Sequence, residues 1–271
     1  MERVLTKTAE AVYSTVPYAL GSRSLHCHHQ YEVYYFIEGD VSYYVEGRYY
    51  KPTPHSVLLM SPNVFHGVKM ETEETYARYT LHFMGEAVPL EHRRLLLAPF
   101  LCGKENQSIF YEGADRFRLE DFFLQALECA HMSQETRSVA FEARVQSLLS
   151  QILYMSQTVN PTIKALSGPE PAGRMIEYLN DHLTEPVTLD DLASRFYISK
   201  HHMNKIFRQA TGTTVIDYVL RKRIALAQQM MSKGIPAGEA AAKAGFHDYS
   251  VFYKEYRKVM GCSPSSQAKS V

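Results

Sequence analysis

The order of hydrophobic and polar positions divides this chain into two unlike parts. From about Glu32 to Phe83, short runs rich in β-branched and aromatic residues recur: Tyr31-Glu-Val-Tyr-Tyr-Phe-Ile37, Val41-Ser-Tyr-Tyr-Val45 and Ser56-Val-Leu-Leu-Met60. Glu38-Gly39-Asp40, Gly47 and the Pro52/Pro54 pair punctuate them. Residues of this kind suit a pleated, partly buried surface, and short strands about ten positions apart predict an antiparallel sandwich or small barrel. Past Asp115 the period lengthens. Phe117, Phe122, Leu124, Leu127 and Ala130 predict a helix over about Asp115–Met132; Phe141, Val145, Leu148, Leu149, Ile152 and Leu153 predict a second over about Ser138–Ser156. The pair either packs on the outer face of the β-domain or forms a dimer seam. Val159–Gly173, with three prolines and two glycines, reads as a linker.

After the linker, helical periods alternate with sharp breaks. Met175–His182 is one segment, ending before Pro186. Thr188 is placed as an N-cap, with Leu189, Leu192, Ala193 and Phe196 facing inward. A break at Tyr197-Ile198 leads to Ser199, a second N-cap, and to a helix running to about Thr211 and closed by Gly212. Helix, tight break and second helix make the outline of a helix-turn-helix. The outline recurs: Pro236 opens Ala237–Ala244, Gly245 breaks the chain, and Asp248 caps a helix to about Met260, ended by Gly261. Between the units, Val215–Met231 as a helix spans about 25 Å, which with its end turns suits the ~34 Å repeat of successive major grooves.

Phasing then chooses the outward residues. Met203, Phe207 and Ala210 lie at core spacing, which turns His201, Asn204, Lys205 and Arg208 outward. In the second unit Phe252 and Tyr256 face inward, leaving Tyr249, Ser250, Tyr253, Lys254 and Arg257 outside. These side chains can bond base edges or phosphates, or pack on thymine methyls.

Composition adds limits. At 271 residues and 45% hydrophobic, the chain is long enough for two folded domains. No apolar run suits a membrane span and no signal peptide opens the chain, so a soluble cytoplasmic protein without a membrane partner is expected. Cys27, Cys102, Cys129 and Cys262 are scattered and predict neither a disulfide framework nor a zinc knuckle. Net charge is zero, yet residues 171–271 hold fourteen Lys/Arg against nine Asp/Glu, about +5. That bias fits a polyanionic partner for the C-terminal part.

The stretches Leu189-Asp-Asp-Leu-Ala193, Ser199…Met203…Ile206-Phe207…Gly212, Tyr218…Arg223-Ile-Ala…Ala227 and Ala244-Gly-Phe246…Ser250…Phe252…Tyr256-Arg-Lys…Gly261…Ser263-Pro264 resemble the DNA-binding domain of the AraC/XylS family. The resemblance implies base contacts from the outward residues above and a structural or phosphate role for Arg223. Two departures stand out. Ala240-Ala-Ala242 replaces the usual Ile-Ala pairing, which is expected to loosen the second unit; Ser265–Val271 lacks the usual aromatic and Arg.

The N-terminal part carries its own chemistry in His26-Cys27-His28-His29-Gln30-Tyr31-Glu32. On a strand His26, His28 and Glu32 share a face, and His66 follows on a later strand. Three His and one Glu converging inside a barrel suit a divalent transition metal. The spacing HxH-x3-E-x6-G resembles the first cupin motif and Pro62…His66 a shortened second one; in metal-dependent cupins the corresponding residues are ligands. In regulators of the family the same trace lines an effector pocket without metal, for which Tyr34, Phe36, Tyr43 and His82 are further lining candidates.

The expected architecture is an all-β cupin-like barrel with two following helices (residues 1–158), a linker (159–173) and an all-α domain with two helix-turn-helix units (174–271). The expected function is sequence-specific regulation of transcription in response to a small molecule, such as a sugar or related metabolite. Its expected partners are double-stranded DNA, a second copy of the chain and, for an activator, RNA polymerase; no catalytic residue or obligatory cofactor is assigned. The alternative is a metal-dependent cupin enzyme with an attached helical domain.

Overall fold

A computed structural model of the protein describes residues 1–16, 26–100, 109–159, 166–167, 170–260 and 262–264. Its elements run β1 (Glu2–Leu5), β2 (Ala9–Val16), β3 (Tyr31–Glu38), β4 (Val41–Val45), β5 (Arg48–Tyr50), β6 (Val57–Met60), β7 (His66–Met70), β8 (Tyr76–Phe83), α1 (Leu90–Leu96), β9 (Phe110–Tyr111), α2 (Leu119–Glu128), α3 (Gln134–Thr158) and β10 (Leu166–Ser167). The remainder is helical: α4 (Glu170–Asp181), α5 (Leu189–Phe196), α6 (Lys200–Thr211), α7 (Val215–Ser232), α8 (Ala237–Lys243) and α9 (Tyr249–Met260). Cys102, Gly261 and Ser265–Val271 lie outside the described residues.

Among the described residues the strands form two antiparallel sheets, ordered β1-β2-β8-β3-β6-β9 and β10-β5-β4-β7. β3 is buried on both faces, which explains its nearly unbroken apolar run. Tyr34 and Phe36 point between the sheets, against Tyr43, Tyr50, Met60, Tyr76 and Phe110. Val33 and Tyr35 point the other way, onto Phe123, Phe141, Val145, Leu148 and Ile152 of α2 and α3. The two helices therefore spend their apolar stripes on the outer face of the six-stranded sheet.

The helix boundaries differ from the expected ones for local reasons. Asp115–Met132 is not one helix: Arg118, at a left-handed φ of 51°, separates a 3-10 turn at Ala114–Phe117 from α2, and a second 3-10 turn follows α2 at Cys129–His131. α3 starts earlier than Ser138 because the Ser133 side chain accepts the N–H of Thr136, an N-cap. The linker also holds structure. Leu166 and Ser167 pair with Tyr49 and Arg48 of β5, and α4 already begins at Glu170. Pro171 fits there because a first-turn N–H has no helical partner to lose.

The C-terminal elements pack around α7. Its first half (Val215, Tyr218, Val219) shares a core with Met203, Phe207 and Ala210 of α6, and with Met175, Ile176 and Leu179 of α4. Its second half (Ile224, Ala227) shares another with Ala240, Ala241 and Ala244, and with Phe246, Phe252 and Tyr256. In the alanine run expected to loosen the second unit, Ala240 and Ala241 pack under these rings at 0% and 2% exposed, while Ala242 is exposed. Arg223 has a structural role, donating from Nε and Nη2 to the carbonyls of Leu183 and Glu185. Gly245, at φ 91°, approaches the same loop so closely that a Cβ would lie 2.7 Å from the Thr184 carbonyl oxygen. Only glycine fits that break.

Candidate functional site

Two places in the fold concentrate chemistry. The first is the outer face of the two helix-turn-helix units. Thr188 accepts the N–H of Asp191 and opens α5; Tyr197, at φ 54° and 94% exposed, makes the turn; Ser199 accepts the N–H of His202 and opens α6. With Met203, Phe207 and Ala210 buried, His201, Lys205 and Arg208 stand in solvent. Together with Lys200, Asn204, Gln209 and Thr214 they line a hollow of about 550 Å³. Asn204 departs from its expected fully outward position. It is half-buried, and its Oδ1 accepts the N–H of Val215 at 3.3 Å, tying α6 to the start of α7. Its side-chain amide is thereby oriented rather than free to search.

In the second unit Phe252 and Tyr256 are buried, and Tyr249, Ser250, Tyr253, Lys254 and Arg257 are exposed on α9. Asp248 accepts the N–H of Ser250 at 2.6 Å, as a cap should. Arg257 lies over the Tyr253 ring, 6.0 Å from its centroid. α7 has eighteen residues, so the helix joining the two units is about 27 Å long.

The second place is the end of the sandwich at which His26 is exposed. His26 and His66 exchange backbone hydrogen bonds at 2.9 Å, and Glu32 pairs directly with His82 across β3 and β8. One ligand atom from each of His26, His28, Glu32 and His66 falls within 4.8 Å of every other. Glu32 Oε2 has three imidazoles around it: Nε2 of His66 at 2.8 Å, and Nε2 of His28 and of His82 at 3.1 Å each. Tyr43 donates to the other carboxylate oxygen at 3.3 Å. Tyr34 and Phe36 sit deeper, in the filled core; the Tyr34 hydroxyl accepts from Tyr76.

Electrostatics there follow from burial and neighbours. Burial pushes the Glu32 carboxyl up, but the adjoining His66 and His82 outweigh it and hold it well below the usual carboxylate range. His82 is raised: burial pulls it down, and the Glu32 charge more than compensates. His28 is lowered by burial, against the pull of Glu32. The ring orientations are informative. Nδ1 of His66 and of His28 face the carbonyls of Val64 and Gln30 at 2.8 and 3.1 Å. A carbonyl only accepts, so each Nδ1 carries the hydrogen, and a neutral ring then offers a lone pair at Nε2. His66 Nε2 is buried and faces the carboxylate at 2.8 Å.

Residues 12–153 match the AraC-like ligand binding domain family, and residues 192–270 match a helix-turn-helix domain family. The chain belongs to the AraC family. Among curated proteins, this AraC-family chain is 25% identical over 256 residues to an uncharacterized HTH-type transcriptional regulator, YfiF, of Bacillus subtilis, covering 89% of the chain and 77% of YfiF. It is 26% identical over 109 residues to the transcriptional regulatory protein HptR of Staphylococcus aureus, covering 40% of the chain and spanning only 43% of HptR. Among solved structures, ToxT from Vibrio cholerae aligns at a TM-score of 0.39 and 12% identity, over 97% of this chain and 99% of ToxT. The DNA-binding domain of AdpA, solved with a target DNA, aligns at 0.35 and 24% identity, over 36% of this chain and 90% of that one.

In this AraC-family transcription regulator, sequence reasoning found the four converging residues and the exposed helix faces. It placed His82 only as a lining residue; the register Glu32↔His82 puts it against the carboxylate. It did not find Lys200, Gln209 and Thr214, which complete the α6 hollow. Lys200 alone carried a signal, being the first residue after the Ser199 cap. Among the described residues, no helix is long and apolar enough to cross a membrane.

Proposed function

We propose that this AraC-family regulator binds a specific DNA site with α6 and α9 together, reading bases with His201, Asn204, Lys205, Arg208, Tyr249, Ser250, Tyr253, Lys254 and Arg257. The observation that carries the reading is the shared helix α7, which packs against one unit at each half and so fixes the separation of the two exposed faces. Phosphate contacts by the lysines and arginines supply affinity; the amide, hydroxyl and aromatic groups supply discrimination. Fluorescence anisotropy of the full chain on a duplex selected from a random pool tests this. The expected result is binding about a thousandfold or more tighter than to scrambled DNA, weakening steeply with salt. Equal affinity for both duplexes contradicts it.

An effector is proposed to enter at the end of the sandwich where His26 is exposed and Glu32 and His66 lie behind it. One specific observation favours a divalent transition metal there. Three imidazole Nε2 atoms converge on one oxygen of an ionised, buried carboxylate, and either protons on the rings or a cation among them balances that charge. Both His28 and His66 have the other ring nitrogen spent on a backbone carbonyl, the outer bond that metal-bound histidines keep. Atoms bound to one ion at about 2.1 Å lie no more than about 4.2 Å apart. The set at 4.8 Å therefore needs only a small inward movement. His26, His28, His66 and Glu32 would hold the ion; His82 would steady the carboxylate. A homodimer is proposed as the form that occupies full operators, with sedimentation velocity as its check.

A further inference from the structure

Strand alternation sets two surfaces back to back at the edge of the sandwich. On β7, His66 points inward to Glu32 while its neighbour Phe65 points outward, its ring 4.9 Å from that of Tyr218 on α7. Before β3, His26 and His28 face the histidine–glutamate site, and Cys27 between them packs into the core that α4, α6 and α7 share. His66 also pairs with Val45 on β4, and the residue after Val45 is Glu46.

Glu46 and Gly47 form the two-residue turn between β4 and β5, with φ of 44° and 85°. A turn with both central residues at positive φ selects Asn, Asp or Gly; glutamate there is strained, and such strain persists only where the surroundings over-determine it. Apart from Phe65, the surroundings are in the helical domain. Glu46 Oε1 accepts from Lys222 Nζ at 2.6 Å and from the backbone N–H of Phe65 at 2.5 Å. Oε2 accepts from the Tyr218 hydroxyl at 2.6 Å and from Asn180 Nδ2 at 2.5 Å. Gly47 fits beneath Ile176 of α4, where a Cβ would come within 3.1 Å. The flank is held by Tyr49 donating to the Ala210 carbonyl at 2.7 Å and Asn63 donating to Gln229 at 2.9 Å.

The Lys222 and Glu46 side chains are only 9% and 20% exposed. A pair so placed adds little net stability over apolar packing, yet it fixes one geometry, since either partner left alone is costly. We infer that the Glu46 hairpin is a latch coupling the histidine–glutamate site to the DNA-binding domain: it grips α7, the helix that spaces the two recognition helices, and occupation of the site alters that grip through Phe65 and Cys27. The signal part rests on the reading that this site takes an effector; the latch itself rests on the Glu46 hydrogen bonds alone.

Two readouts keep these parts separate. In the metal-free full chain, Glu46→Gln and Lys222→Gln should each speed hydrogen exchange of the α7 amides by about tenfold, with exchange in β3 and β8 unchanged as the control for folding. Unchanged α7 exchange in both variants overturns the latch whatever the site binds. With Zn²⁺ as the probe, the wild-type chain should change its operator affinity by about fivefold or more, and Glu46→Gln should bind Zn²⁺ and operator yet lose that dependence. A wild-type chain that binds Zn²⁺ with no change in operator affinity overturns the coupling, as does a Glu46→Gln chain that keeps the full response. Failure to bind Zn²⁺ at all overturns the metal-driven signal and leaves the exchange result to decide the latch.

Discussion

A chain carrying both Lys205→Ala and Arg208→Ala binds its operator roughly 30- to 1,000-fold more weakly than the parent, a drop of about 2–4 kcal/mol. Both side chains are exposed on α6 and line its hollow. Substitutions at such positions leave stability within about 0.5 kcal/mol, so unfolding is not a competing explanation. If each cation meets a phosphate, the slope of log affinity against log salt also falls by nearly two, about 0.9 for each phosphate no longer neutralised. If one of them reads a guanine edge, the weakening is instead concentrated on the selected duplex and small on scrambled DNA. Anisotropy titrations at three salt concentrations on both duplexes separate the two cases. A change below about threefold on the operator would remove α6 from the interface, since one good base pairing by a side chain is alone worth about 1–3 kcal/mol.

The second large effect concerns the His26 end of the sandwich. The full chain, stripped with chelator, is expected to take up one Zn²⁺ or Co²⁺ per chain by calorimetry. Removing an outer-shell partner of a metal site costs about 10–100-fold in affinity, so removing a ligand in His26→Ala should cost at least as much. His26 is exposed, and its bridge to His66 is made by backbone atoms, so the variant keeps the fold. Glu32→Gln removes the charge at nearly constant shape and should abolish uptake. At a free metal concentration near 100 Kd of the parent, the ion stabilises the folded chain by about 2.7 kcal/mol, visible as a raised unfolding temperature; this stabilisation falls to about 1.4 kcal/mol or less in His26→Ala and is absent in Glu32→Gln. Equal uptake by parent and His26→Ala, or none by the parent, ends the metal reading without touching the DNA reading.

The parts legible in the sequence are those decided by near neighbours. Thr188 and Ser199 bond N–H groups three residues on, so the caps and the units they open could be read directly. The period of Phe141, Val145, Leu148 and Ile152 likewise pointed to α3, although not to the face of the β-sheet that these residues cover. β1 and β2 escaped because the buried positions of β2 are Ala9, Ala11 and Ser14, too small to mark a hydrophobic face. The start of α4 was hidden by Pro171 and Gly173, which read as breakers yet are tolerated in its opening turn. Long-range register was out of reach. Glu46 looks like an ordinary polar residue at a hairpin tip, and its partners Asn180, Tyr218 and Lys222 are more than a hundred positions away. Asn204 shows the limit of phasing: helical angle alone placed it outward, and only the α6–α7 packing directs its oxygen to Val215.

The central claim is that one chain sets two recognition helices into successive turns of the same DNA. Hydroxyl-radical footprinting of the full protein on its selected operator tests it most directly. Two protected patches, centred about 10–10.5 base pairs apart on one face for each bound chain, are predicted from the spacing that α7 imposes. At protein concentrations that saturate each variant, one patch should fade in Lys205→Ala/Arg208→Ala and the other in Tyr253→Ala/Lys254→Ala, never both together. A single patch per chain, abolished by one pair of substitutions and indifferent to the other, would contradict it.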